Sequence, residues 1–160
     1  MVLSIIAIVI SALSLLTSII FGVCDQKNNK RTLKPLININ TGDYEDDIFV
    51  DVENKGMGPL IIKKVEIYRS GVLCKETDLY KIIKTRGQPW YTFMEKLEGR
   101  TIPPDEKIRI IGIAPKTVDI REKIRRQLGN ISLKIIFEDI YEKAYERTEE
   151  FSFYNRHFSR

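Results

Sequence analysis

Few residues in this chain have a type and spacing that could do chemistry, and those few miss the requirements of most reactive sites. A serine or cysteine nucleophile needs a base oriented beside it. The one histidine, His157, stands three residues before Arg160, in a basic tail where chains fray. Cys24 and Cys74 are too few for a disulfide framework or a zinc site, though a single bridge between them stays open. Asp43, Glu45, Asp46 and Asp47 gather oxygen ligands in a short stretch. A calcium ion takes about six to eight oxygens in a defined loop, and this spacing fits none, so the group is expected at a solvated hairpin tip. No Walker loop or G-x-G-x-x-G turn is present to cradle a phosphate. Two carboxylates meeting in a cleft, as in glycosidases, remain open. The expectation is a protein that is not an enzyme, with no catalytic residues, no cofactor and no metal.

The most ordered set of small and polar side chains lies instead in an apolar run. Val2 to Val23 contains no charge, and 14 of its residues are Ile, Leu, Val or Phe. As a helix it spans roughly 33 Å, enough for a bilayer core, which predicts a transmembrane helix over residues 1–24. Ser4, Ala7, Ser11, Ser14, Ser18 and Gly22 fall within an arc of about 80° on it. Small residues let helix backbones approach closely, and serines can bond across to a neighbour. The face therefore reads either as a seam for a second copy or another membrane protein, or as serines bonded back to their own helix.

No Lys or Arg precedes the run, and Phe21-Gly22-Val23 before Cys24 fits neither a signal cleavage site nor a lipoprotein pattern. Lys27, Lys30, Arg31 and Lys34 follow it. The positive-inside rule then places the N-terminus outside and the C-terminal domain in the cytoplasm of a single-pass cell-membrane protein. All the charge lies after the run, giving the chain a net +4. Basic residues close to an anionic leaflet each contribute about 1 kcal/mol, so the cluster makes the lipid bilayer itself a partner. Acidic residues interleave with basic ones elsewhere, which argues against nucleic acid.

Positioning falls to the remaining residues, read as a juxtamembrane basic linker (25–33) and one β-sandwich domain (34–160). Alternating apolar residues predict strands at Leu36–Asn40, Ile48–Glu53, Leu60–Tyr68, Lys107–Ile113, Ile131–Phe137 and Ala144–Tyr154, the last with Phe151 and Phe153 facing inward. Helical spacing appears at Lys75–Thr85, with Thr77 as cap, and at Thr117–Leu128, where Asp119 and Glu122 form a capping-box pattern. Trp90 and the adjacent Tyr91 offer either core filling or a contact for a partner.

The run Val50-x-Val52-x-Asn54-x-Gly56-x-Gly58-Pro59, with Ile102-Pro103-Pro104-Asp105-Glu106 later, resembles bacterial immunoglobulin-like and CARDB-type sandwiches. The layout is also similar to small single-pass prokaryotic membrane proteins. Asp105 stands where that pattern has glycine. The resemblance implies a mainly β, immunoglobulin-like antiparallel sandwich of about seven strands with two short helices, and supplies no catalytic residue. The functional expectation is a membrane-anchored scaffold or accessory module. Its helix pairs within the membrane, and its sandwich meets a protein partner that the sequence does not identify. Two alternatives stay open: a ligand- or phage-sensing membrane effector of a defence-type system, and an extracytoplasmic adhesion or cell-envelope domain.

Overall fold

The computed structural model describes residues 2–85 and 87–157. The apolar run forms a helix, α1 (Val2–Thr32), that is long and apolar enough to cross a membrane, and none of its residues is buried against the rest of the protein. It does not stop where the apolar run ends. Residues 25–32, expected as a linker without regular structure, continue the helix. Gln, Lys and Arg are good helix formers, no Gly or Pro interrupts them, and Lys30 and Arg31 suit the negative end of the helix dipole. Pro35 then disfavours helical geometry at Lys34, and the chain leaves as an extended segment.

Two antiparallel sheets follow, making the body mainly β and sandwich-like. The first has the order β1 (Ile37–Asp43), β2 (Ile48–Asn54), β7 (Lys107–Ile113), β5 (Thr92–Phe93). The second has the order β4 (Val72–Leu73), β3 (Leu60–Arg69), β8 (Ile131–Glu138), β9 (Ala144–Glu150), with β6 (Thr101–Ile102) also paired to β3. The described residues thus hold nine strands where about seven were expected. β4, β5 and β6 have only two residues each, too few for an alternating pattern to reveal. Inward residues of both sheets, among them Val50, Val52 and Ile110 from the first and Ile62, Ile67 and Ile135 from the second, share one core.

Bulges reset the alternation twice. Ile62 pairs with Phe137 but Lys64 with Ile136, so Lys63 is an extra residue; both lysines face solvent, and the core face resumes at Val65. On β7 the register passes from Val50 opposite Ile111 to Asp51 opposite Arg109, which sets that arginine directly across from the buried aspartate. The Ser70-Gly71 turn between β3 and β4 has positive φ at both residues (50° and 81°), the two-residue hairpin geometry that matches strand twist.

Both helical readings and the last strand need correction. The first short helix, α2, covers only Leu79–Ile82, and Asp78 rather than Thr77 precedes it. The second, α3 (Val118–Leu128), is capped by Thr117, whose hydroxyl accepts from the Ile120 amide. Asp119 instead pairs with Lys123 one turn on. The last strand ends at Glu150, and Phe151–His157 forms a 3-10 turn. In that geometry Phe151 and Tyr154 become the buried pair, while Phe153 lies 44% exposed. The tail after His157 lies outside the described residues.

The acidic hairpin tip is also not simply solvated. The side chain of Asp43 is fully buried, 2.8 Å from Arg125 of α3 and 3.0 Å from Arg156 of the 3-10 turn. Tyr154 reaches the same hairpin and donates to the Phe49 carbonyl at 2.7 Å, with the Gly42 carbonyl at 3.2 Å. Burial raises the Tyr154 phenol far above its usual range, with Asp43 adding to the shift. Folding therefore requires the neutral phenol, whereas an unfolded tyrosine ionises near pH ~10. This contribution is full below about pH 10 and is lost as pH rises beyond it. Tyr154→Phe should cost about 1–2 kcal/mol at neutral pH. In denaturant titrations its stability should also fall less than that of the wild type between about pH 8 and pH 11.

Candidate functional site at the junction of helix and sandwich

Where α1 meets the sandwich, one buried side chain gathers the chain. Asn54 ends β2 and is fully buried. Its Oδ1 accepts from the amides of Leu36 (3.2 Å) and Gly56 (3.0 Å), and its Nδ2 donates to the carbonyls of Gly58 (2.8 Å) and Ile102 (3.0 Å). Both donors and both principal acceptor positions of the carboxamide are thus used. The main chain of Asn54 adds bonds to Glu106 and Asp105, and the amide of Lys55 bonds back to the Leu36 carbonyl. Asp105, standing where the resembling pattern has glycine, adopts positive φ (59°) and keeps a left-handed turn, as Asp does more readily than most residues.

The two glycines let the junction lie flat on this turn. A Cβ on Gly56 would sit 2.4 Å from the Lys34 carbonyl oxygen, and one on Gly58 would sit 1.8 Å from that of Leu33. The segment after the helix is therefore pressed backbone to backbone onto the Asn54–Pro59 turn. Sequence reading takes these residues as turn chemistry alone. The sign of a second role is a second glycine beyond what the turn itself needs, since neither has positive φ.

Beside the junction, the basic residues form a cradle. Lys27, Lys30 and Arg31 lie at the end of α1 and Lys34 just beyond it, and all four line the space beside the β8–β9 hairpin. Together with Asp139, Tyr141, Lys143 and Tyr145 they line a cavity of about 430 Å³. The Lys30 ammonium lies 5.3 Å from the Tyr141 ring centre and that of Lys34 lies 5.1 Å from the Tyr145 ring. Asp139 is buried and spends its carboxylate on the hairpin, accepting from the amides of Tyr141 (2.8 Å) and Lys143 (3.0 Å) and from the Tyr145 hydroxyl (3.1 Å). Burial, then the bond to Asp139, raises the Tyr145 phenol. Sequence analysis finds the four basic residues at and after the helix end but misses the hairpin residues, which the fold brings to them from more than a hundred positions away.

The other predicted residues lie apart from this site. Ser4, Ala7, Ser11, Ser14, Ser18 and Gly22 lie exposed along α1. The Ser11 hydroxyl donates to the Ala7 carbonyl and that of Ser18 to the Ser14 carbonyl, the self-bonded arrangement of a lone helix. Trp90 packs half-buried against the core. Tyr91 is exposed, but its hydroxyl donates to Asp47 at 2.8 Å and accepts from Arg109. Arg109 in turn holds the buried Asp51 through two bonds, of 2.7 and 3.1 Å, which raise its pKa further. This network runs from the middle of β2 to the tip of the β1–β2 hairpin and braces the sandwich. Cys24 and Cys74 are both free thiols.

No family model, curated protein or solved structure matches this chain at a significant level.

Gly58→Ala should lift the junction off the turn without touching the core. Hydrogen exchange should rise at Leu36 and Lys55 while β3 and β8 stay protected. Asn54→Ala should go further and lower global stability by roughly 3–4 kcal/mol in denaturant titrations, because two buried carbonyls and two part-buried amides lose a partner at once. Equal protection at the junction in the wild type and in Gly58→Ala would show that it is not clamped there.

Proposed function

We propose that this protein is a single-pass membrane-anchored interaction module, in which association of α1 within the bilayer fixes how copies or partners of the sandwich are presented. The observation that carries the reading is the clamped junction. Leu36 is bonded through both its amide and its carbonyl, and Gly56 and Gly58 meet the main chain of Leu33–Leu36 with no room for a side chain. A passive tether needs no such fixation, whereas an anchor whose orientation must reach the domain does. The exposure of every apolar residue in α1 supports insertion in lipid over packing as a core helix. The basic turn that follows supports a cytoplasmic sandwich with the N-terminus outside.

The strand orders also favour an immunoglobulin-like reading of the sandwich. β1-β2-β7-β5 has the connectivity of an A-B-E-D sheet, and β3-β8-β9 that of C-F-G, with β4 as an added strand beside C. The reading involves no catalytic step.

Replacing Ser11, Ser14 and Ser18 together by Leu removes hydroxyls and close approach from one arc of α1. At about 0.6 kcal/mol for each bond across the seam, the association constant should fall roughly 20-fold. Energy transfer between donor- and acceptor-labelled chains in the same vesicles measures this. Unchanged transfer would remove the helix seam from the account.

A further inference from the structure

We infer that the cradle between the end of α1 and the β8–β9 hairpin binds the phosphate of an anionic phospholipid headgroup. The inference rests on the proposed membrane insertion of α1 and gives it a specific ligand.

Electrostatics comes first. Lys27, Lys30 and Arg31 stand in the last turns of α1 and Lys34 two residues past its end, all lining one cavity, and Lys27 and Arg31 are like charges one turn apart, which disfavours the helix in the absence of a neutralising anion. Lys143 adds a fifth positive charge from the hairpin. The only carboxylate lining the cavity among the described residues is Asp139. Its oxygens accept from two hairpin amides and the Tyr145 hydroxyl, so it shapes the hairpin without forming an ion pair with the lysines. Among the described residues, none of these five cations lies within salt-bridge distance of an acid, whereas Lys55, Lys63, Lys64 and Lys134 on the sandwich each have a carboxylate partner.

Shape and place agree with the charge. Three of the lysines, Lys30, Lys34 and Lys143, rest on tyrosine rings, which holds their ammonium groups at the cavity in place of a free sweep through solvent. The cavity, about 430 Å³, is the size of a small-ligand site. At about 1.5 Å per residue, Lys27 and Lys30 stand roughly 6–11 Å beyond the end of the apolar run at Val23, the depth of the headgroup layer. A phosphate there would accept charge-assisted bonds from several cations at once while its acyl chains follow α1 into the bilayer. Soluble phosphate would satisfy the same cations, so its source must be tested directly.

The full chain in a neutral detergent, mixed with phosphatidylglycerol or phosphatidylcholine and followed by native mass spectrometry, reports the lipid it retains. The expected result is retention of phosphatidylglycerol over phosphatidylcholine. In Lys30→Gln/Lys34→Gln, affinity for phosphatidylglycerol should drop about fivefold for each charge removed. Lys75→Gln/Lys116→Gln, which removes the same charge from exposed sites elsewhere, should change it little. Equal retention of the two lipids, or equal losses in the two double variants, overturns the site. Displacement of the retained lipid by millimolar inorganic phosphate overturns the headgroup as its source. Alkaline extraction of membranes separates this from the premise: a chain that resists extraction but shows no headgroup preference refutes the cradle alone, whereas an extractable chain refutes the anchor.

Discussion

A single buried carboxamide holds this structure in register. Asn54 makes four side-chain hydrogen bonds from a position without solvent, to the segment leaving the helix, to both glycines of its own turn and to the short strand β6. A buried polar group left unpaired costs about as much as several good contacts contribute, so the four partners are not independently optional. Because Ile37 pairs with Asn54 at the base of the β1–β2 hairpin, the same residue also starts the first sheet. The helix end, the first hairpin and the second sheet therefore share one fixed point.

The cradle depends on that point. The cations at the end of α1 face the β8–β9 hairpin, with Leu33–Leu36 pressed onto the Asn54–Pro59 turn between them. The hairpin in turn is held by Asp139 and by the stacking of Phe137 on Tyr145, whose ring centres lie 5.6 Å apart. At the opposite end of β1–β2 a different device braces the fold. There Asp43 is buried against Arg125 and Arg156 and Tyr154 closes the hairpin, while in mid-strand Asp51 is buried against Arg109. One pole is organised by neutral hydrogen bonds and the other by ion pairs.

The elements legible in sequence are those whose cause is local. The apolar run, the alternation of Ile131, Leu133, Ile135 and Phe137, and the Gly129 stop after α3 each follow from the spacing of neighbouring side chains. What was misread depends on distant partners. Asp43 looks like part of a solvated tip until Arg125 arrives from 82 residues away. Phe153 looks inward-facing only if β9 continues past Glu150, and the switch to a 3-10 turn that buries Tyr154 leaves no periodic trace. The helix cations could be identified because they cluster; the tyrosines they rest on are ordinary strand and turn residues until the hairpin folds. The glycines of the Asn54 turn were visible as a motif, yet their second purpose appears only when the end of α1 lies upon them.

The central claim is that the sandwich follows the helix as one body, and a distance distribution tests it most directly. Spin labels on Cys24, exposed on α1, and on Thr148→Cys, exposed on β9, in a Cys74→Ser chain would report the spread of distances between the two parts in lipid. The account predicts one narrow distribution, broadened by Gly58→Ala. A broad distribution in the unaltered junction, unchanged by Gly58→Ala, would contradict it and leave α1 as a flexible tether.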